Sequence, residues 1–224
     1  MDGVLLDMDG VLVYSNPAHF ISWQQIAEED NVVFTRDDFQ KTFGMVSEEI
    51  VPLYWPKNWS KEKLNDVAIR KERRYLEMVP QHVKMVPGAL EFIRLLAQHE
   101  IKMAVGSSGP RVNVEYMVDF TGIRPYLSAI VTGSDVALGK PAPDIFLEAA
   151  RQLNVQPENC LVIDDSRSGV TAGHRGKMTV FGFFSEGHQP EEYELANLTV
   201  RSFDEIRRHI RITSPGFFDI IDQE

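Results

Sequence analysis

Apolar residues recur along this chain with two different periods. Short continuous runs lie at Val4–Leu6, Met103–Val105, Ala129–Val131, Leu161–Ile163 and Met178–Phe181. The first ends in Asp7-Met8-Asp9-Gly10, which predicts a buried strand followed by a turn, and the others resemble it. Helical spacing appears between them, in Leu90, Ile93, Leu96 and Ala97 and again in Ile145, Phe146, Ala149, Ala150 and Leu153. Strands alternating with helices predict an α/β fold, a Rossmann-like parallel sheet covered on both faces. Residues 15–84 break the rhythm and read as helix after helix. Pro17 suits a first helical position, and Phe20, Trp23 and Ala27 form one apolar stripe. Leu64, Val67, Ala68, Tyr75 and Met78 form another, and Val86-Pro87-Gly88 marks the return to alternation. The pattern therefore predicts a helical cap, residues 15–84, inserted after the first strand of a core made of residues 1–14 and 85–224. The segment after Ile210, with Pro215-Gly216 and Phe217-Phe218, receives no assignment.

Length and composition sharpen this picture. At 224 residues the chain is long for one domain and short for two, which fits one domain carrying an insertion. It is 43% hydrophobic and 25% charged, with a formal net charge of −10, so it lacks the basic footprint of a nucleic-acid binder. Anionic ligands must then be held by a few placed cations or by a metal. A single cysteine, Cys160, excludes a disulfide framework and a Cys-rich metal site. No apolar run reaches the ~20 residues of a membrane span, and the Met-Asp-Gly start has no basic n-region. Asn58-Trp59-Ser60 and Asn197-Leu198-Thr199 match the glycosylation pattern but carry little weight without secretion; a cytoplasmic location is expected.

The sharpest chemical feature is Asp7 with Asp9. Carboxylates at i and i+2 share one face of a strand, here at its carboxyl end, where open α/β sheets place ligands. Adjacent carboxylates repel unless a cation or proton lies between them, which points to a hard divalent metal; a solvated Asp-Gly turn is the plain alternative. An ionised Asp is also a nucleophile that needs no base at neutral pH. Asp164-Asp165 closes a second apolar run, so the two acidic strand ends would share one pocket if the strands are neighbours. Otherwise Asp165 or Ser166 simply caps the next helix. Lys140, in Gly139-Lys140-Pro141-Ala142-Pro143-Asp144, offers a cation to a phosphoryl oxygen or to the acidic cluster, or else is a surface loop lysine. Ser107 and Ser108 follow a strand and precede Gly109-Pro110, a ready anion site.

Other chemistries fit poorly. Gly133 to Lys140 is no P-loop, because the glycine spacing is one residue too long and Pro141 replaces the Ser or Thr. Gly106-Ser107-Ser108-Gly109 is one residue short of a nucleophile elbow. The six histidines form no zinc grouping, and Val11 stands where an EF-hand needs its third acidic ligand. Lys71 falls on an apolar stripe and is expected to snorkel, the alternative being contact with an anionic ligand. His19 and Trp23 lie one turn apart near the start of the insertion; packing accounts for Trp23, whereas His19 at the junction is harder to dismiss.

Together these residues resemble the haloacid dehalogenase superfamily, in its phosphatase and β-phosphoglucomutase-like branch. The resemblance rests on DMDGVLV at 7–13, the serine after MAVG at 103–106, GKPAPDIF at 139–146 and VIDDSRSG at 162–169, in the family's order and covering essentially the whole chain. It implies Asp7 as the nucleophile that forms an aspartyl-phosphate and Asp9 as general acid, then base. It implies phosphoryl binding by Ser107, with Ser108 beside it, and by Lys140. Mg²⁺ would be held by Asp7, the backbone carbonyl of Asp9, and Asp165 with Asp164. His19, Trp23, Gly44 and Lys71 match positions common in the branch's caps, the first, second and fourth as candidate substrate contacts. Two departures stand out: Tyr14 replaces a residue that is acidic in most relatives, and Ser47, followed by Glu48 and Glu49, replaces the cap arginine of the β-phosphoglucomutases. A mutase must grip a bisphosphate at both ends, so that loss favours a Mg²⁺-dependent phosphatase of a small phosphorylated metabolite over a phosphohexomutase. A non-catalytic phospho-ligand binder is disfavoured because Asp7, Asp9, Lys140 and Asp165 occur together. A dehalogenase needs neither the second carboxylate nor the metal. Tyr54, Trp55 and Trp59 are expected to pack the cap's helices, and the chain is expected to act as a monomer on a small phosphorylated partner, apart from nucleic acid and membrane.

Overall fold

The computed structural model describes residues 1–42, 45–185 and 189–221; Gly44 lies outside them. In chain order the elements are β1 (Gly3–Leu6), β2 (Val13–Tyr14), α1 (Asn16–Glu29), α2 (Arg36–Lys41), α3 (Ser47–Tyr54), α4 (Lys61–His82), β3 (Lys84–Met85), α5 (Ala89–Gln98), β4 (Lys102–Ser107) and α6 (Arg111–Thr121). They continue with β5 (Ala129–Thr132), α7 (Asp144–Leu153), β6 (Cys160–Asp164), α8 (Arg167–Arg175), β7 (Thr179–Phe183), β8 (Leu198–Val200), α9 (Phe203–Arg208), β9 (Ile210–Ser214) and β10 (Phe217–Ile220). The chain divides into two compact units, Met1–Val13 with Met85–Glu224, and Tyr14–Lys84.

In the first unit the described residues form a six-stranded sheet in the order β5-β4-β1-β6-β7-β8. Every neighbouring pair is parallel. Val4, Leu5 and Leu6 are wholly buried, as are all five residues of β6. Complete burial of a central parallel strand explains why these segments read as continuous apolar runs instead of alternating ones. Each such Leu or Val contributes about 1.5–3 kcal/mol by leaving water. Helix α7 lays Ile145, Phe146, Ala149, Ala150 and Leu153 against the sheet, the face its spacing predicts. It stops at Asn154, whose left-handed backbone (φ 52°) closes the helix. The strand order reverses about β1 and β6, which places a crevice at their carboxyl ends.

The pattern missed two features of this unit. Strand β8 is only Leu198–Val200 and sits at the sheet edge, too short to register as an apolar run. The unassigned segment after Ile210 is a β9–β10 hairpin turning at Gly216, whose φ of +80° suits glycine.

The second unit is the cap, helices α1 to α4. Trp23, Ile26, Phe34, Phe39, Ile50, Val51, Trp55, Val67 and Ala68 form its core, with Tyr54 and Trp59 packed against it, so these aromatics pack as expected. Trp55 Nε1 donates to Asp30 at 2.6 Å, and Arg70 Nη2 donates to the same carboxylate at 2.7 Å, a pairing that ties α4 to the end of α1. Thr35 and Asp38 cap α2 reciprocally. No helix among the described residues is long and apolar enough to cross a membrane.

Cys160 is buried at the start of β6, and burial, with Asp2 and Glu158 nearby, pushes its thiol up to about 12. The native protein is therefore expected to resist a thiol-specific disulfide reagent at neutral pH and to react with one equivalent per chain only after unfolding in denaturant.

Candidate active site

Sheet pairing brings together residues far apart in sequence. Asp7 is the first residue beyond β1, and its N–H donates to the carbonyl of Ile163 on β6 at 3.0 Å. Asp164 ends β6 and Asp165 follows it, so the neighbouring strands deliver Asp7, Asp164 and Asp165 to one edge of the sheet. An oxygen from each lies within 4.8 Å of the others, and all three residues are buried. On the other side of β1, β4 ends in Ser107, which is buried and accepts the Gly109 N–H at 3.1 Å. Ser108 is partly buried beside it.

Lys140 enters from the loop before α7 with 3% of its side chain exposed, so the surface-loop alternative is excluded. Its ammonium donates to Asp7 Oδ1 at 2.5 Å and Asp164 Oδ2 at 2.7 Å. The Phe146 ring, 4.8 Å away, lies against it, and Arg175 donates to the carbonyl of Pro141 at 3.1 Å, steadying the loop. Asp164 Oδ1 accepts from the Ser166 N–H at 2.9 Å and hydroxyl at 2.8 Å, while the same hydroxyl accepts the Gly169 N–H at 3.0 Å. Ser166 thus caps α8 and also holds Asp164; the two readings are one geometry.

Two glycines make this density of carboxylates possible. A Cβ at Gly10, where φ is +79°, would lie 1.7 Å from Asp165 Oδ2, and a Cβ at Gly169 would lie 1.9 Å from the Asp164 carboxylate. Asp9 sits in the intervening turn, held by bridge pairing to Val13, and its carboxylate is outside the group of three.

Burial pushes the Asp7 carboxyl well above the usual carboxylate range. Lys140 pulls it back, and Asp164, Asp165 and Asp9 push it up again. Burial alone would favour a neutral amine at Lys140, but Asp164 and Asp7 outweigh it and hold the ammonium above the ordinary lysine range. One lysine therefore does not neutralise the cluster. Buried, converging, all-oxygen donors with residual negative charge fit a hard divalent cation such as Mg²⁺.

The cap residues singled out from the sequence form a separate polar group inside the second unit. Lys71 does not snorkel. Its side chain is 4% exposed, and Nζ lies 3.0 Å from both Glu72 Oε1 and His19 Nδ1, because an apolar helix face leaves an ammonium no path to water and so selects an internal partner. Ser47 donates to the same Glu72 oxygen at 2.5 Å, and His19 stacks on Tyr75 at 3.9 Å. Burial opposes the Glu72 charge, yet Lys71, His19 and Ser47 hold its carboxyl below the ordinary range. Trp23 is buried in the cap core, its ring 5.2 Å from Lys71 Nζ.

Two residues absent from the sequence reading also touch the site. Ser185 Oγ donates to Asp165 Oδ2 at 2.7 Å, and the Tyr193 hydroxyl donates to the Asp165 carbonyl at 2.7 Å. A serine 20 residues from its partner, in no motif, gives no signal in sequence.

Fold and site define an α/β enzyme with an inserted helical cap. A family model for haloacid dehalogenase-like hydrolases matches residues 1–176, and the chain belongs to that family. Curated relatives that it resembles include phosphatases. It is 31% identical over 213 residues to the chloroplastic 5-amino-6-(5-phospho-D-ribitylamino)uracil phosphatase of Arabidopsis thaliana; the match takes in 91% of this chain and 55% of that protein, so the chain spans about half of that relative. It is 30% identical over 172 residues to a phosphorylated carbohydrates phosphatase of Thermotoga maritima, covering 77% of this chain and 80% of that one. The crystal structure of β-phosphoglucomutase from Clostridium difficile superposes with a TM-score of 0.80 at 22% identity, over 93% of this chain and 96% of that one, which shows a shared fold.

Two outcomes follow from the geometry. Gly169→Ala adds a better helix former, yet its methyl group displaces Asp164. A net destabilisation of about 1–3 kcal/mol in chemical denaturation is expected, instead of the ~1 kcal/mol gain that helix propensity alone gives. Asp7 has a raised folded pKa, so without metal its contribution to stability is fully present below its unfolded pKa and is lost as pH rises through the folded value. The unfolding free energy of the metal-free wild type relative to Asp7→Asn should accordingly fall between acid and neutral pH.

Proposed function

We propose that this chain is a Mg²⁺-dependent phosphatase that hydrolyses a small phosphorylated metabolite, in the range of sugar phosphates, through an aspartyl-phosphate on Asp7. The observation that carries the reading is the buried Asp7–Lys140–Asp164 bridge with Asp165 beside it at the carboxyl ends of two central strands. Asp7, Asp164 and Asp165, with the backbone carbonyl of Asp9, would hold Mg²⁺. When bound, the ion supplies the positive charge that keeps Asp7 ionised and offsets the charge of the phosphoryl oxygens.

An Asp7 carboxylate oxygen attacks phosphorus, and the bond from phosphorus to the substrate oxygen breaks. Asp9 gives its proton to that leaving oxygen. Asp9, now a carboxylate, takes a proton from a water whose oxygen attacks the phosphorus of the aspartyl-phosphate. The acyl–phosphate bond opens, inorganic phosphate leaves and Asp7 is regenerated. Ser107 and Lys140 hold the phosphoryl oxygens, with Ser108 supporting them, while Lys140 also fixes the Asp7 carboxylate for attack. In the cap, His19 and Lys71 are the polar candidates for substrate contact, and Trp23 shapes the packing beneath them. Support for hydrolysis over mutase chemistry comes from Ser47. Ser47, bonded to the Glu72 carboxylate, stands at the position matched to the cap arginine of the β-phosphoglucomutases and offers a hydroxyl instead of a cation.

The test is phosphate release from a panel of phosphorylated sugars, sugar alcohols and other small metabolites, with Mg²⁺ and with EDTA. β-Glucose 1-phosphate with a bisphosphate primer is included and read for isomerised product. Mg²⁺-dependent release is expected, falling on the order of a thousandfold or more in Asp7→Asn with the fold retained. Isomerisation without release would make the protein a mutase, and full activity in Asp7→Asn would remove the covalent mechanism.

A further inference from the structure

Asp165 is held differently from its two acidic neighbours. Lys140 donates to Asp7 and to Asp164, whereas Asp165 is gripped by two hydroxyls from the chain segment that follows β7. Ser185 Oγ donates to Asp165 Oδ2 at 2.7 Å, and both residues are buried, at 8% and 6% exposure. Tyr193, 3% exposed and reached by a short 3₁₀ turn, donates its hydroxyl to the Asp165 backbone carbonyl at 2.7 Å, with the Phe183 carbonyl 3.3 Å away. The Tyr193 ring is itself wedged in place. A Cβ at Gly182 would lie 2.5 Å from its Cδ1, and Phe184 lies 5.7 Å from it ring to ring. The bare backbone of Gly10 lies against the same carboxylate oxygen, Oδ2. A carboxylate beside two others, with ligand atoms within 4.8 Å, is driven by repulsion to rotate away. A hydroxyl on one oxygen, a hydroxyl on the backbone carbonyl and a glycine wall oppose that rotation.

We infer that Ser185 and Tyr193 are positioning residues that pre-set Asp165 for a divalent cation, Ser185 through the side chain and Tyr193 through the backbone. The inference rests on the metal-dependent reading above and adds residues to it. Losing a partner of a metal-ligating group typically costs about 10–100-fold in metal affinity or activity, because an unheld ligand must be ordered when the ion binds.

The test is Mn²⁺ binding to the full chain without substrate, followed by the paramagnetic resonance of free ion, for wild type, Ser185→Ala, Ser185→Thr and Tyr193→Phe. Ser185→Ala is expected to weaken Mn²⁺ binding roughly tenfold, with the metal-free melting temperature little changed, and Ser185→Thr, which keeps the hydroxyl, to restore it. Tyr193→Phe should weaken binding in the same direction; a melting curve taken alongside separates this from loss of fold. In turnover, both affected variants should need more Mg²⁺ for half-maximal rate while approaching the wild-type rate at saturation. Wild type and Ser185→Ala binding Mn²⁺ equally well would overturn the inference and leave the phosphatase reading standing. Wild type that binds no Mn²⁺ would overturn the metal reading itself, and this inference with it.

Discussion

The Lys140 ammonium, 2.5 Å from Asp7 and 2.7 Å from Asp164, is the contact on which the core's arrangement depends. Three carboxylates converge at one sheet edge, where the medium is too apolar to screen them. Without an internal cation, burial would protonate or expel them. Lys140 offsets part of that charge, and the raised position of Asp7 shows the remainder. A buried ammonium shared by two carboxylates is a poor source of net stability, because desolvation consumes most of the Coulombic gain. Its value is positional: it fixes the rotamer of the proposed nucleophile and leaves the cluster negative enough for a divalent ion.

The scaffold meets this constraint with backbone. The hydrogen bond from the Asp7 N–H to Ile163 extends the β1–β6 ladder one residue past the strand, so the carboxylates are set by sheet register and not by loop conformation. Gly10 and Gly169 remove the two Cβ atoms that would block the approach. Ser166 ties the start of α8 to Asp164, and Ser185 ties the end of β7 to Asp165, so elements on both sides of β6 brace the same pair. A chain of net charge −10 thereby sets one buried ammonium, Lys140, among its converging carboxylates.

The cap solves a similar problem on a smaller scale. Lys71, placed on the apolar face of α4, is paired with Glu72, and that carboxylate is oriented by Ser47 from α3 and by Lys71 itself. The outer network of Arg70 and Arg74 with Glu29 and Asp30 is more exposed and contributes less per pair. The cap core is aromatic, with the Trp23 and Trp55 rings 5.7 Å apart, so the helices are held by packing.

Much of the fold was legible in the sequence. Strands buried on both faces appear as uninterrupted apolar runs, and an amphipathic helix such as α7 shows its face at helical spacing. Asp7, Asp164 and Asp165 were legible as chemistry, because carboxylates closing apolar runs are costly and must have partners, and Lys140 was legible through the GKPAPDIF motif. Their convergence needed the tertiary structure: the parallel pairing of β1 with β6, Gly3 opposite Cys160, decides it, and no local pattern encodes which strands are neighbours. Short edge strand β8 and the β9–β10 hairpin escaped because few residues of each are buried. The snorkelling expected of Lys71 fails because its partner His19, and the Ser47 that orients Glu72, come from other helices. The grip of Ser185 and Tyr193 on Asp165 is likewise a product of tertiary structure alone. A hydroxyl's hydrogen bond reaches about 3 Å in space and carries no periodicity along the chain. Sequence determined which residues had to be buried and which charges had to be answered; the folded arrangement decided which groups answer them.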